Sequence, residues 1–392
     1  MTGKNLHVLH VIPSLAGIHG GTTSSVLEMI DGLVERGISC DVALSDDDGP
    51  GQRLPRDAAA RRIAGRHYFP KRSDIYTFTP DMTPWLKANV ASYDLVHIHG
   101  LFSHVNSLAG RCARKRGIPY IVTPHGMANR YGMRHKPIRK FIAFRLMEQA
   151  LLEQASAIHL TSRGEERDFA DLSITTKVKM IPLAATPVPQ GDPAAYRHLP
   201  SVKSSDTICL FIGRLDPIKN LEGLLEALAM PRLENFHLLV CGEGSPQYAA
   251  RLKDRVRRLG IEKKVTWLGF VSGPGKADVF ASSDMLVQPS FSESFGMAAI
   301  EALSSGLPCV LSRYVATAED LVRAELAIPV GTSPRSIAAG MLLAREWKTS
   351  SFTARARQHV ATCFDRSVIS TAMAAFYHQT VQCSGAVEEI KS

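Results

Sequence analysis

The stretch Met285 to Leu311, MLVQPSFSESFGMAAIEALSSGLPCVL, decides the fold. A short apolar run, Met285 to Gln288, gives way to a polar loop; a helical pattern fills Gly296 to Ser305; a second apolar run, Pro308 to Leu311, follows. Runs this short and apolar throughout belong to strands buried on both faces, and a helix between two of them makes a βαβ unit of a parallel sheet. Ligands of open parallel sheets gather at the carboxyl ends of the strands, and the loop in that place here carries Glu293.

The rhythm continues outward. Further strands are expected at Thr207 to Ile212, Phe236 to Cys241, Val265 to Leu268 and Leu326 to Val330. Helices are expected at Asn220 to Met230, Ser245 to Leu259, Gly275 to Ser282, Ser333 to Trp347 and Asp365 to Gln382. Ala184 to Ser205 breaks the pattern with four prolines among polar residues and reads as a linker. Before it, six apolar runs (Leu6 to Ile12, Cys40 to Ser45, Asp94 to His99, Pro119 to Thr123, Ser156 to Thr161, Val178 to Leu183) alternate with helical patterns. Those helices fall at Thr22 to Arg36, Ser103 to Arg116, Pro137 to Gln154 and Ser162 to Leu172, with Gly37 and Gly117 closing the first two. The expectation is an α/β chain of two doubly wound domains, residues 1–195 and 196–365, with a last helix near 366–382 available to the first.

A chain of 392 residues suits two cores of ~150–200 residues with a cleft between them. No run approaches the ~18 apolar residues of a membrane span, and Leu6 to Ile12 is too short for a signal-peptide core, so a cytoplasmic protein is expected. Seven scattered cysteines without a CxxC pair suggest neither a disulfide framework nor a zinc site; they read as small buried apolar residues.

Four segments carry chemistry. In the opening stretch, Glu293 lies just before the helix and Glu301 about one and a half turns inside it. The helix N-terminus aims the free amides around Phe295, Gly296 and Met297 at the loop, a place for phosphate, and an ionised acid beside it suits sugar hydroxyls. The plainer alternative is two acids favouring a helix start. In FIGRLDPIKNLEGL, Phe211 to Leu224, a strand passes through Gly213 into Arg214 and Lys219, two cations suited to a diphosphate. In PSLAGIHGGTTSS, Pro13 to Ser25, Gly20 and Gly21 permit close backbone approach and Thr22 offers a helix cap, but no dinucleotide fingerprint or P-loop is formed. In TPHG, Thr123 to Gly126, His125 is placed to donate to a ligand oxygen or to serve structure alone. His97, His99 and His104 lack acids or cysteines at ligand spacing, and no metal is expected.

Taken together, the segments PSFSESFGMAAIEALSSGLPCV, GRLDPIKN, the Gly-Gly loop, HIHG and TPHG, in that family's order over about residues 6–312, resemble the retaining glycosyltransferases of group 1, family 4, with the GT-B fold. The resemblance implies two Rossmann-like domains facing across a cleft and a nucleotide diphosphate sugar as donor. It implies roles too: Arg214 and Lys219 on the diphosphate, Glu293 on sugar hydroxyls, Glu301 on ribose hydroxyls, and the amides of Phe295, Gly296 and Met297 on sugar and phosphates. Gly20 and Gly21 would close over the distal phosphate, His125 would sit beside the transferring sugar, and the loop Gly269 to Val271, with Phe270, would meet the nucleobase. Neither metal nor cofactor is expected, since cations stabilise the leaving diphosphate. Two departures stand out: Leu183-Ala184 where many members have Asn-Gly, and Tyr314 to Glu319 where many have a Gly-Gly turn. The acceptor expected is a hydroxyl of a glycan or lipid-linked molecule in cell-surface polysaccharide or glycolipid assembly, with a UDP-sugar favoured. A nucleotide-sugar binding module, or a GT-B epimerase or phosphorylase, is the alternative.

The net charge of +9 is local: ten cations and no acid fall between Asp94 and Glu148. Within that stretch RHKPIRKFIAFR, Arg134 to Arg145, mixes cations with Ile138, Phe141, Ile142 and Phe144. It suits an anionic membrane surface at the inner face of the bilayer, or an ordinary amphipathic helix with its cations in water. Nucleic acid is not expected, because no recognition motif accompanies the charge.

Overall fold

The computed structural model describes residues 5–15, 21–48, 63–73, 75–127 and 144–389. The chain divides into two compact units, Met1–Ala184 with Asp365–Ser392, and Ala185–Phe364. The proline-rich stretch read as a linker packs with the second unit: the Val188 amide donates to Ser304 Oγ (3.0 Å) and Arg197 pairs with Asp284.

In the first unit the strands are β1 (His7–Ile12), β2 (Ser39–Ser45), β3 (Gly65–Phe69), β4 (Leu95–His99), β5 (Tyr120–Thr123), β6 (Ala157–Leu160) and β7 (Val178–Met180). All are parallel, in the order β3-β2-β1-β4-β5-β6-β7. Its helices include α1 (Gly21–Val34), α2 (Met82–Asn89), α3 (His104–Lys115), α4 (Gln149–Glu153) and α5 (Arg163–Ala170). Every residue of β4, β5 and β6 is buried, because helices cover both faces of the sheet. Six strands were expected here and seven are described. The seventh, β3, is an edge strand of sequence GRHYF whose residues are all half-buried, so it lacks the apolar run that marked the others. Thr22, read as a cap, lies within α1 as described, Gly21–Val34. Gly20 and residues 134–143 of the basic segment lie outside the described residues.

The second unit repeats the plan: β8 (Thr207–Ile212), α6 (Leu221–Leu228), β9 (Phe236–Cys241), α7 (Pro246–Leu259), β10 (Val265–Gly269), α8 (Gly273–Ser282), β11 (Met285–Gln288), α9 (Met297–Ser304), β12 (Cys309–Ser312), α10 (Ala318–Arg323), β13 (Ala327–Val330), α11 (Pro334–Ala344) and α12 (Ser350–Cys363). The sheet runs β10-β9-β8-β11-β12-β13, again all parallel. The final helix, α13 (Arg366–Glu389), lies in the first unit against α1. A Cβ on Gly32 of α1 would stand 2.7 Å from Ser370, so glycine is what lets the helices approach. Arg366 pairs with Glu28 (3.5 Å) and Glu35 (3.2 Å). Among the described residues no helix is long and apolar enough to cross a membrane. The reading of all seven cysteines as buried is corrected: Cys363 is half-buried and Cys383 exposed, because both sit on C-terminal helices that bury only one side.

In a doubly wound sheet the order reverses at one seam, and loops leave it in opposite directions to open a crevice. The seams fall between β1 and β4 and between β8 and β11. Beside the second, where the loops after β8 and β9 touch, glycine is a requirement. Gly242, just past β9, has φ +133°, and a Cβ there would meet Gly213 O at 1.9 Å; at Gly244 a Cβ would meet Leu215 O at 2.0 Å. This backbone contact carries the hydrogen bonds Gly213 N to Cys241 O (3.0 Å) and Leu215 N to Glu243 O (2.7 Å). Gly242→Ala is therefore expected to cost about 3 kcal/mol or more in urea unfolding, combining a strained φ with separation of two backbones. A loss under about 1 kcal/mol would show that the contact gives way cheaply.

Candidate active site

The residues after β8 and β11 meet at the second unit's seam. Asp216 caps the short turn Pro217–Lys219 by accepting from the Ile218 amide (3.0 Å). Asn220, in the left-handed conformation at φ 56°, ends it. Its buried side chain donates to Pro289 O (3.1 Å) and Thr332 O (2.9 Å), tying this turn to the loop after β11. A further bond, Phe291 N to Ile218 O (2.7 Å), completes the tie. Lys219 is thereby brought to Glu293, and their side chains form a hydrogen-bonded ion pair with both partners less than one-fifth exposed. Gln288, the last residue of β11, donates to the same Glu293 oxygen at 3.0 Å.

Glu293 is fixed through its backbone as well. Its amide donates to Tyr314 O (3.0 Å), and its carbonyl accepts from Ala316 N (3.1 Å). The segment Tyr314 to Glu319, where the sequence departs from the family pattern, thus forms a bridge beside Glu293 at Val315. Thr317 holds Phe295 O through Oγ1 (2.7 Å) and its amide (3.3 Å). Gly296 precedes α9 with φ 97°, and no side chain caps the helix, so its first amides remain for a ligand. Phe295 turns its ring into the core, near Phe364 (6.1 Å between centroids), so only its main chain can serve a ligand.

The other expected residues have partners or exposure of their own. Glu301 pairs with Lys276 of α8 (2.6 Å) rather than with Lys219. Arg214 is two-thirds exposed and leans on Asp216 (3.4 Å). Met297 is half-buried, and Phe270, after β10, is 73% exposed. Val271 adjoins it, half-buried. The reading along the chain missed Gln288, Lys276 and Asn220. Asn220 had a faint signal in the KN pair before a helix; the other two had none.

The first unit contains a column of buried histidines. The register sets His10 of β1 opposite His97 of β4, and His99 opposite Thr123 of β5. His125, two residues past β5, takes a left-handed φ of 52°. Its loop is pinned by Gly126 N donating to Glu165 Oε1 (2.6 Å), while Glu165 Oε2 accepts from the Thr161 amide (2.7 Å) and hydroxyl (2.6 Å). His10 Nδ1 bonds His99 Nε2 (3.0 Å), and His99 Nδ1 bonds His125 Nε2 (3.1 Å). A second branch joins His97 to Tyr377 of α13 (2.5 Å) and, through Thr123 (2.7 Å), to His159 (2.8 Å). Burial holds His10 and His125 down to about 3 and His159 to about 4, and His97 and His99 well below the usual imidazole value. His104, which sequence spacing set beside His97 and His99, instead accepts from the Thr79 amide (3.4 Å). His10, His97 and His99 bring one nitrogen each within 4.8 Å, a spacing a metal could use. Both nitrogens of His97 are already bonded, and His10 and His99 are bonded to one another.

The model of the family described as "Glycosyl transferases group 1" matches residues 197–349, and that described as "Glycosyl transferase 4-like domain" matches residues 20–184. The D-inositol 3-phosphate glycosyltransferase of Mycobacteroides abscessus is 28% identical over 88% of this chain and 81% of its own. An uncharacterized glycosyltransferase of Methanocaldococcus jannaschii is 28% identical over 57% of this chain and 58% of its own. Among solved structures, sucrose-phosphate synthase of Thermosynechococcus elongatus superposes with a TM-score of 0.77 at 21% identity, covering 96% of this chain and 100% of that one. Anabaena HepE in complex with UDP-glucose superposes at 0.74 and 18% identity, covering 95% and 100%.

Proposed function

The chain belongs to the group 1, family 4 glycosyltransferases of GT-B fold, and on that premise we propose that it moves a hexose from a UDP-sugar, with retention, to a hydroxyl of a glycan or lipid-linked acceptor in cell-surface polysaccharide or glycolipid assembly. What carries the reading is the pairing of Lys219 with Glu293 beside the uncapped end of α9. A cation and free amides suit a diphosphate, and a carboxylate next to them suits the sugar attached to it. UDP is favoured because HepE, of the same fold, binds UDP-glucose.

In the proposed reaction the bond from the anomeric carbon to the diphosphate oxygen breaks, and the acceptor oxygen bonds to that carbon on the same face. The acceptor's proton passes to the leaving phosphate oxygen. Lys219 and the amides of Gly296 and Met297 stabilise the charge gathering on the diphosphate, with Arg214 reaching in from the exposed loop, so no metal enters. Glu293 orients the sugar hydroxyls, Glu301 the ribose, and His125 donates to a donor oxygen. Gly20 and Gly21 belong to the donor side in the same reading, and the Gly269 to Val271 backbone to the base. The segment Arg134 to Arg145 is proposed to meet an anionic membrane surface.

A second reading of the acceptor is a small phosphorylated polyol. It is favoured by the name of the Mycobacteroides relative and by the acid-free, ten-cation stretch between Asp94 and Glu148.

Thermal unfolding against UDP-, GDP-, ADP- and dTDP-sugars tests the donor site. A UDP-sugar at 100 times its dissociation constant is expected to stabilise by about 2.7 kcal/mol, and no response to any of the four would remove the proposal.

A further inference from the structure

The ring-to-ring chain His10–His99–His125 ends on one side at His10, fully buried, and on the other at His125, 6% exposed. Three rings, two hydrogen bonds and six nitrogens leave two nitrogens over: His10 Nε2 and His125 Nδ1. His10 Nε2 is sealed in the core and makes no hydrogen bond to the described residues. His125 Nδ1 makes no hydrogen bond to the described residues. The planes of His10 and His99 lie within 11° of each other and those of His99 and His125 within 24°, as expected of rings bonded edge to edge.

All three rings are neutral near pH 7, because burial disfavours the charged form. A neutral imidazole has one N–H and one lone pair, so only two proton arrangements satisfy both bonds. If the N–H groups point inward, His10 Nε2 carries a hydrogen with nothing to receive it. If they point outward, His10 Nε2 keeps only an idle lone pair. Orphaned N–H groups in protein cores are rarer than under-used acceptors, so the outward arrangement is the lower in energy.

We infer that His10 and His99 are positioning residues: they lock His125 in the tautomer that presents Nδ1–H outward as a hydrogen-bond donor. Ring by ring, His10 Nδ1–H donates to His99 Nε2, and His99 Nδ1–H donates to His125 Nε2. His125 then has no free lone pair with which to take the acceptor hydroxyl's proton. It can only donate, to a sugar or phosphate oxygen. The inference rests on the reading of His125 as facing the donor substrate. It sharpens that reading, since it excludes His125 as the base and leaves that task to the leaving phosphate. Glu165, by holding the Gly126 amide, keeps the ring within reach of His99.

The test uses the full chain labelled with ¹⁵N-histidine. Two-bond ¹H–¹⁵N correlations are expected to report His125 as the Nδ1–H tautomer with no ligand present. This result does not depend on the enzyme's substrate, so it separates the tautomer inference from the functional proposal. His99→Phe should release the lock, giving a tautomer mixture at His125 and a turnover about 10²-fold lower, the worth of one aimed donor. The KM for the donor sugar should change little. His99→Asn keeps an amide N–H near the position of Nδ1 and should restore both the tautomer and most of the turnover. An Nε2–H tautomer at His125 in the unaltered chain would overturn the inference. So would equal losses in the Phe and Asn variants, or a co-purifying metal whose removal shifts the His10 and His99 signals.

Discussion

Lys219→Ala is expected to lower turnover about 10²- to 10³-fold while leaving the fold in place. The ammonium is held firmly at the seam between β8 and β11. It is less than one-fifth exposed, anchored through the Pro217–Lys219 turn, and paired with Glu293, whereas Arg214 is two-thirds exposed. A donor fixed before the reaction begins costs no reorganisation when charge develops, and losing one such group typically costs about 3–4 kcal/mol at the transition state. Lys219 also shields a carboxylate. Removing Lys219 leaves Glu293 a half-shielded carboxylate with Gln288 as its remaining side-chain partner, which destabilises the loop. The double variant Lys219→Ala/Glu293→Gln removes that stranded charge. It should recover thermal stability without recovering turnover, since neither alanine nor glutamine offers the diphosphate a cation. If turnover instead follows the folded fraction and returns with the double variant, Lys219 serves structure alone.

The parts of this site that could be read along the chain are those whose cause is local. β8, β9 and β11 are mostly apolar because helices cover both faces, and that composition is visible without a partner. Glu293 was legible because a loop acid before a helix start is a local pattern. Gln288 and Lys276 were not, because Gln288 sits at the end of an apolar run and Lys276 meets Glu301 only once α8 lies beside α9. α12 escaped for a related reason. Its sequence SSFTARARQHVATC is polar, and only Phe352, Ala356 and Val360 face inward, a stripe four residues apart that composition dilutes. The histidine column is the clearest case. His10 is a single polar residue within the apolar run Leu6 to Ile12, and only the parallel register of β1, β4 and β5 turns scattered histidines into a bonded chain.

That column also sets how the protein should respond to acid. His10, His125 and His159 have folded values of about 3, 3 and 4, below the ordinary 6.5, because burial disfavours the imidazolium. Between the folded and unfolded values the unfolded chain binds the more protons, so stability falls as pH falls. The contribution is complete above about pH 6.5 and is lost on the way down toward the folded values. At pH 5 each of the three costs about 2 kcal/mol, some 6 kcal/mol together, and His97 and His99 act in the same direction. Glu148 and Glu165, buried in the same unit and raised above the usual carboxylate value, act in the opposite direction and offset part of this; against a domain stability of about 5–15 kcal/mol the remainder still weakens the first unit. The second unit has His237 and His359, whose values are also lowered but which gather in no such cluster. Hydrogen exchange on the full chain, corrected for intrinsic rate, is therefore expected to show β1, β4, β5 and β6 losing protection between pH 7 and pH 5 while β8, β9 and β11 keep theirs. His159→Leu removes one titrating group and should flatten the first unit's dependence by about one proton. An unchanged slope, or earlier loss of protection in the second unit, would mean that the column does not govern acid stability.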